Sequence, residues 1–249
     1  MPPDQAGSPS VAGPLFRKLN RLGPLSSKAA SALEAITATP CWAAADQDLF
    51  REGDRPPDCK LILQGLVCRY KMLDDGRRQI VSFHVPGDIV DLNRLLLGSL
   101  DHSISTLTPV RLVSIKHATL LDWMRQHADI GRLLWLDTLI DASIFREWVV
   151  NVGRRTARER VAHLLCELVV RLRAAGLAQD RAFDLRITQA ELADATGLSP
   201  VHVNRTVQEL RREGLIEMNN KTLVTLDWEA LKQAAGFDPA YLHQLAASA

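Results

Sequence analysis

Residues 187–226 constrain this chain more than any other stretch, because local signals define the ends of two short helices. Thr188 and Glu191 form a capping-box pattern, in which an N-cap hydroxyl and a carboxylate three residues later satisfy each other's backbone N–H groups. Gly197 then ends this helix, and Ser199-Pro200 begins a second one. The pattern predicts two helices joined by a tight turn.

The second helix divides into an apolar stripe and a polar face. Val203, Val207 and Leu210 recur at spacings of four and three residues, which marks one buried side. Two β-rich runs follow, LIEM and TLVTL, and they flank Asn219-Asn220-Lys221, whose residue types tolerate hairpin turn angles. Together these features predict a winged helix-turn-helix, which is a device for reading DNA.

A helix in the major groove reads bases with its N-terminal half. Arg205 is the leading candidate because its guanidinium can bond guanine O6 and N7 as a fork, while Asn204 could bond adenine and Val201 could pack on a thymine methyl. The predicted base-reading residues are Val201, Asn204, Arg205 and Gln208. Hydroxyl, amide and cationic groups near helix starts and the wing tip are predicted to contact phosphates, at Thr188, Gln189, Ser199, His202 and Lys221.

The segment SPVHVNRTVQELRREGLI resembles the recognition helix of the superfamily of the cyclic-AMP receptor protein and the fumarate-nitrate reduction regulator (Crp/Fnr). The resemblance continues upstream in LFREGD, LILQGLVCRY, Asp75-Gly76 and HVPGDIVDL. It implies an α+β chain with an N-terminal antiparallel β-roll sensor like a cyclic-nucleotide-binding domain, a long dimerisation helix and a C-terminal winged helix-turn-helix. Short β-rich runs separated by Gly, Asp and Pro also favour an antiparallel roll or barrel.

Length and composition agree with two domains. A chain of 249 residues exceeds the usual size of one domain, and 47% hydrophobic with 24% charged residues is ordinary for a globular protein. We expect a flexible lead at 1–14, the sensor roll at 15–129, the dimerisation helix at 130–153 and the DNA-binding domain at 154–249. No membrane-spanning apolar run or secretory signal is evident, so we expect a cytoplasmic protein without a membrane partner.

The long helix carries an apolar seam that needs a cover. The seam consists of Leu133, Leu136, Ile140, Ile144 and Trp148. Either the roll of the same chain or a second copy in a two-fold dimer could cover it. The resemblance favours the dimer, because the corresponding helix is the subunit interface in the superfamily.

The sensor departs from the superfamily's cyclic-nucleotide site. The resemblance places a glycine-glutamate pair near Asp91 and an arginine-serine pair at His102-Ser103, so the arginine is missing. Phe145 and Arg146 stand where the cyclic-AMP receptor has two hydroxyl residues. Because histidine is mostly neutral at pH 7, we expect no cyclic-AMP binding. The candidate effector pocket consists of Asp91, His102 and Ser103.

Other cofactors have weaker support. The four cysteines form no Cys-x-x-Cys pair, and only Cys41 lies near the N-terminus, where cluster-bearing members of the superfamily have several. We therefore expect no iron–sulfur cluster and no metal site. His84, His117 and His127 are candidate haem ligands only because histidine can bind haem iron.

The predicted function is a homodimeric, sequence-specific DNA-binding transcription regulator that binds a palindromic operator, and the resemblance adds RNA polymerase as a partner. The alternative is a ligand-sensing or scaffold protein that uses its helix-turn-helix for protein contacts. Strongly salt-dependent DNA binding separates the two. No nucleophile elbow, phosphate loop or paired metal ligands occur, so no enzymatic activity is predicted. The effector, the operator, the sign of regulation and the role of the tail helices stay open.

Overall fold

The computed structural model describes residues 13–36, 38–179, 181–219 and 222–246. The predicted flexible lead lies outside these ranges except for residues 13 and 14, which begin the first helix. The helices are α1 (Gly13–Leu22), α2 (Ser27–Glu34), α3 (His117–Gln126), α4 (Ala128–Arg154), α5 (Ala157–Ala174), α6 (Gln189–Thr196), α7 (Pro200–Arg212) and α8 (Trp228–Ala235). No helix in the described ranges is both long and apolar enough to cross a membrane.

The strands divide between the two halves of the chain. In the first half they are β1 (Cys41–Ala43), β2 (Asp48–Phe50), β3 (Asp58–Gln64), β4 (Val67–Met72), β5 (Arg78–His84), β6 (Ile89–Val90), β7 (Ser103–Thr106) and β8 (Val110–Lys116). In the second half they are β9 (Ala178–Gln179), β10 (Ala182–Asp184), β11 (Ile216–Met218) and β12 (Thr222–Thr225). Short 3-10 segments lie at Leu92–Leu95 and Pro239–Ala246.

Two four-stranded antiparallel sheets form the predicted roll. Their strand orders are β1-β8-β3-β6 and β2-β7-β4-β5. Both sheets contribute side chains to an apolar cluster that consists of Ile62, Val67, Val90, Ile104, Val110 and Leu112. The turn between β3 and β4 requires Gly65, which has a φ of +91° and whose added Cβ would lie 2.5 Å from the carbonyl oxygen of Pro109.

Helix α4 is the predicted long helix and joins the two halves of the chain. It packs against α1 and α3 at its start and against β5 and the 3-10 segment at 239–246 further along. The ring of Trp148 meets that of Phe83 on β5 edge-on, with 5.7 Å between centroids. The helix ends at Arg154, and Thr156 caps α5 through a second capping box with Glu159. The chain therefore changes direction at residues 155 and 156.

The C-terminal half is built around α5, which contacts α6, α7 and α8. The predicted hairpin of β11 and β12 is present, but β10 and β9 extend it to a four-stranded sheet of order β11-β12-β10-β9. Sequence patterns did not predict these two strands, because runs of two or three residues are too short to show alternation. The 3-10 segment packs back on α4 and α5, where the Tyr241 hydroxyl donates to Glu167 at 2.9 Å.

Candidate nucleic-acid interface

Helix α6 begins at the predicted capping box. The Thr188 hydroxyl accepts from the backbone N–H of Glu191 at 3.2 Å, and the Glu191 carboxylate accepts from the backbone N–H of Thr188 at 2.6 Å. Leu192 and Thr196 are buried against the rest of the domain. Gly197 ends the helix as predicted, and its φ of +66° is the left-handed conformation that makes the turn.

Helix α7 starts at the residue that the Ser-Pro signal predicts. The Ser199 hydroxyl accepts from the backbone N–H of His202 at 3.2 Å, and Pro200 is the first helical residue. The buried side chains of this helix are Val203, Thr206, Val207 and Leu210. The helix is therefore anchored on one side and leaves its other side in solvent.

The solvent side of α7 carries three of the four predicted base readers. Val201 is 81% exposed, and Asn204 and Arg205 are also exposed, at the three- and four-residue spacings that share one helix face. Arg205 forms no hydrogen bond or ion pair with any other described residue, so its guanidinium is available to a ligand. Gln208 is only half-exposed and accepts from Arg211 at 3.4 Å.

The predicted phosphate-contacting side chains lie at the first turns of α6 and α7. The structure places Thr188, Gln189, Ser199 and His202 there. The hydroxyl of Thr188 both accepts from and donates to Glu191, so the cap occupies it more fully than that of Ser199. Lys221 at the wing tip lies outside the described residues.

A groove between α6, α7 and the wing adds one cation that the sequence patterns missed. Arg211 and Gln208 line it on the α7 side, and Met218 and Asn219 line it on the wing side. The side chain of Asn219 accepts from the backbone N–H of Thr222 at 2.9 Å, which shapes the start of the hairpin turn. The sequence signal for Arg211 was its three-residue spacing from Gln208, which places both on one face.

A second candidate site is a cavity of about 270 Å³ between the roll, α1, α4 and α5. The structure corrects the predicted effector trio, because His102 lines this cavity and Asp91 and Ser103 do not. Asp91 is buried beside β3, where its Oδ1 accepts from the backbone N–H of Lys60 at 3.3 Å. The Ser103 hydroxyl accepts from the backbone N–H of Glu52, since β7 turns that side chain towards β2.

Arg69 on β4 supplies the cavity with a buried arginine that the sequence patterns did not predict. Its Nη1 donates to Asp141 on α4 at 2.5 Å, and its Nε has no hydrogen-bond partner among the described residues. Burial, and then the charge of Arg69, lowers the pKa of His102 although Asp101 lies 2.6 Å from its Nδ1. His102 is therefore neutral at pH 7. The only sequence signal for Arg69 was a cation inside the strand run LVCRY.

The three histidines named as haem candidates lie on separate elements. His84 is buried, with its ring nitrogens 2.9 Å from the Ser82 hydroxyl and 3.3 Å from the Asp88 carboxylate. Burial, followed by the charge of Arg69, lowers the pKa of His84 to about 4. The other two lie at the starts of α3 and α4. Within the described ranges, no group of three or more His, Cys, Asp or Glu side chains could hold a metal ion.

Comparison with known proteins identifies the family of this chain. Residues 159–234 match the model of the Crp-like helix-turn-helix domain, and residues 40–127 match that of the cyclic nucleotide-binding domain. The nitrogen fixation regulation protein FixK of Bradyrhizobium diazoefficiens is 31% identical over 181 residues, covering 73% of this chain and 75% of FixK. The chain belongs to the Crp/Fnr family.

Other Crp/Fnr proteins agree in sequence and fold. The transcriptional activator protein FnrL of Cereibacter sphaeroides is 29% identical over 198 residues, which cover 78% of this chain and 79% of FnrL. The structure of FixK2 from Bradyrhizobium japonicum superposes with a TM-score of 0.73 at 25% identity, covering 82% of this chain and all of FixK2. The predicted resemblance and α+β fold class are confirmed, and the relatives favour a DNA-binding regulator over a scaffold.

The predicted dimer seam of this Crp/Fnr chain faces inward, so that prediction is wrong. Leu133, Ile140, Ile144 and Trp148 are buried in the core of their own chain, and Leu136 is half-buried against it. The seam's periodicity correctly marked a stripe that must be covered. The periodicity could not show whether the same chain or a second copy covers the stripe.

A different stripe of α4 remains exposed in the Crp/Fnr chain. Trp135 is 67%, Leu139 is 49% and Val149 is 69% exposed. The stripe consists of Trp135, Leu139, Ala142, Arg146, Val149 and Gly153, which recur at spacings of four and three residues and of which Ala142 alone is half-buried. This is the a and d spacing of a coiled coil, with one charged position in the seam.

The DNA-binding half docks on the roll through α6. The Nε of Arg78 on β5 donates to Asp194 at 2.7 Å, and the side chain of Gln79 donates to the carbonyl oxygen of Ala195 at 3.5 Å. The guanidinium of Arg78 also lies over the ring of Tyr70 at 5.7 Å. These contacts use α6, and the solvent side of α7 stays exposed.

Proposed function

We propose that this chain is a homodimeric transcription regulator whose helix α7 reads base pairs in the major groove. The observation that carries the proposal is the solvent side of α7, where Val201, Asn204 and Arg205 are exposed beside a helix start anchored by Ser199. Base contacts need such a presentation, because a recognition helix buries one side in its domain and offers the other to the groove. The names of the relatives FnrL and FixK support a regulatory role.

Phosphate contacts are proposed for the groups that flank this helix. Gln189 is exposed and His202 is half-buried at the first turns of α6 and α7, and helix starts favour anions. The same role is proposed for Thr188 and Ser199, whose hydroxyls also cap. Arg211 in the wing groove adds a cation, and Lys221 is included from its position in the sequence.

The dimer is proposed to form along the exposed stripe of α4 rather than along the predicted inner seam. Two copies of an a and d stripe can pack as a two-fold coiled coil, which covers Trp135 and Leu139. The two α7 helices would then enter successive major-groove turns about 34 Å apart, on a palindromic operator. The activators among the relatives support RNA polymerase as a further partner.

The proposed domains are a sensor at 15–129, the long helix at 130–153 and the DNA-binding domain at 154–249. The sensor is proposed not to take cyclic AMP, because His102 is neutral and Arg69 is already paired with Asp141. A buried cyclic phosphate needs an uncompensated cation beside it. Calorimetry with cyclic AMP should show no heat of binding at micromolar concentrations, and saturable micromolar binding would contradict this part of the proposal.

Selection of duplexes from a random pool tests the proposed function directly. The purified chain should enrich a palindromic sequence with half-site centres about one helical turn apart, and footprinting should protect both half-sites. Affinity should fall steeply between 50 and 200 mM salt, because phosphate contacts release counterions. A pool that shows no sequence enrichment at low salt would contradict the proposal.

A further inference from the structure

Lys18 of α1 buries its ammonium group between two carboxylates from other parts of the chain. Its Nζ lies 2.8 Å from Asp88 Oδ1, in the turn between β5 and β6, and 2.6 Å from Asp137 Oδ1 on α4. All three side chains are less than one-fifth exposed. Lysine is rarely buried, because its side chain loses conformational freedom and its charge loses water. A buried ammonium therefore needs partners as well placed as these.

Burial and the contacting charges together set the pKa values of Lys18 and its two carboxylate partners. Burial alone would lower the pKa of Lys18, but the attraction of Asp137 and Asp88 outweighs it and raises that pKa. Burial alone would raise the pKa of Asp88, but Lys18, His84 and Arg171 hold it well below its ordinary value. Burial raises the pKa of Asp137, which has only Lys18 within ion-pairing distance among the described residues. A cation is thus the occupant that these two carboxylates stabilise.

Helix α1 is seated so that the lysine enters the cavity from one side. Leu15, Leu19 and Leu22 on the adjoining face are buried in the main apolar core. The turn that carries Asp88 approaches the helix closely at Gly87, where an added Cβ would lie 2.9 Å from the carbonyl oxygen of Pro14. The apolar face anchors the helix, and the lysine fills a site that the roll and α4 form.

Asp88, which pairs with Lys18, also contacts the DNA-binding half of the chain. Asp88 Oδ2 accepts from Arg171 on α5 at 3.2 Å. Arg171 is buried and also donates to the carbonyl oxygen of Phe83 at 2.6 Å and to Glu167 at 3.2 Å. Because α5 is the central helix of the DNA-binding half, Asp88 joins the cation site to the orientation of that half.

We propose that Asp88 and Asp137 form an alkylammonium site in the sensor cavity, which this chain fills with its own Lys18. One ammonium ion in the site offsets one of the two carboxylate charges and fixes Asp88 in the position from which it accepts from Arg171 of α5. The ligand class is a primary alkylammonium ion, opposite in charge to a cyclic nucleotide. The effect on DNA binding rests on the proposed function, whereas the cation site does not.

Chemical rescue of Lys18→Ala tests the site, because this change removes the equivalent of one n-propylammonium ion. The variant should melt roughly 10 °C below the wild type, since two buried carboxylates lose their partner. n-Propylammonium chloride at roughly 1 to 10 mM should restore much of the melting temperature, a range suited to a ligand of four heavy atoms. The affinity for the selected duplex should change in the variant and return with the same amine.

Matched controls separate the site from general effects of salt and folding. n-Propanol and sodium chloride at equal concentration should not rescue Lys18→Ala, and the amine should not raise the melting temperature of Lys28→Ala, which removes an exposed lysine. Lys18→Met keeps a four-atom stem without the charged group, so it should lose stability and resist rescue. If Lys18→Ala folds only when amine is present, the result supports the site.

Two outcomes would overturn the proposal. One is a Lys18→Ala variant as stable as the wild type, and the other is a destabilised or unfolded variant that the amine does not restore better than sodium chloride does. The melting-temperature measurement uses no DNA, so rescue by the amine can be observed even if the wild type selects no duplex. That combination would refute the proposed function and leave the cation site standing.

Discussion

Asn204 in the middle of α7 donates its side-chain amide to the side-chain oxygen of Gln189, the first residue of α6, at 3.1 Å. The bond joins a predicted base reader to a predicted phosphate contact. It leaves the carbonyl oxygen of Asn204 free to accept from a base amino group in the groove. We therefore expect Gln189 to influence base specificity through Asn204.

Gln189→Ala should relax the base preference at the position that Asn204 contacts. Asn204→Ala should relax the same position, and the double variant should relax it no further, because the two side chains act as one unit. Selection from random duplexes with each variant measures this, and Gln126→Ala removes an exposed glutamine far from α7 as a control. A uniform loss of affinity across all sequences would instead assign Gln189 to phosphate alone.

Arg205→Ala should lose discrimination at one base pair of each half-site, by about 1 to 3 kcal/mol. Its free guanidinium can form a bidentate bond that alanine cannot replace. Competition binding with single-base operator variants measures the loss. Arg125→Ala removes a largely exposed arginine on α3 and should leave base discrimination intact. Retained discrimination together with a salt slope reduced by about one would show that Arg205 contacts a phosphate.

Leu139→Lys should weaken the dimer by about 2 kcal/mol or more, roughly thirtyfold in dissociation constant, because it places an unpaired charge in a coiled-coil seam. Sedimentation equilibrium measures the change, and Leu177→Lys at a similarly exposed leucine is the control. By contrast, Ile140→Ala should lower the free energy of unfolding by about 2 to 5 kcal/mol, since Ile140 is buried in its own chain. A dimer unaffected by Leu139→Lys would place the subunit contact elsewhere.

Asp91→Asn should stabilise the fold at alkaline pH. Burial raises the pKa of Asp91 to about 7, above its value of about 4 in the unfolded chain, so ionisation costs the folded state more. The contribution of Asp91 to the stability of the wild type should therefore fall as the pH rises from about 4 to 7, by at most about 4 kcal/mol, and stay level above that range. Asparagine also tolerates the φ of +63° at this position.

Urea unfolding at pH 5 and pH 8 checks this prediction. The advantage of Asp91→Asn over the wild type should be larger at pH 8 than at pH 5, since only the wild type carries the buried charge there. Asp74→Asn, at an exposed turn, should show no such dependence. An equal difference at both values would show that Asp91 does not titrate in this interval.

The ends of α6 and α7 follow from short-range chemistry, and the amino-acid sequence was sufficient to predict them. A capping box, a left-handed glycine and a Ser-Pro start act within three or four residues, so Thr188, Gly197 and Ser199 are recognisable without a partner in space. The sequence also predicted the roll, because glycines interrupt the β-rich runs at the turns. The family followed from the same segments.

Tertiary structure alone decided which side of α4 is buried, where Arg69 lies and what surrounds Lys18. A stripe at helical spacing must be covered, but its cover depends on surfaces far away in the chain, and here β5 and its neighbours take the predicted seam. A lone Arg69 or Lys18 has no sequence pattern, because its partners Asp141 and Asp137 lie more than seventy residues away. Interactions between neighbouring residues determine the helix ends, so the sequence predicts them. Burial and charge pairing depend on which distant residues folding brings together.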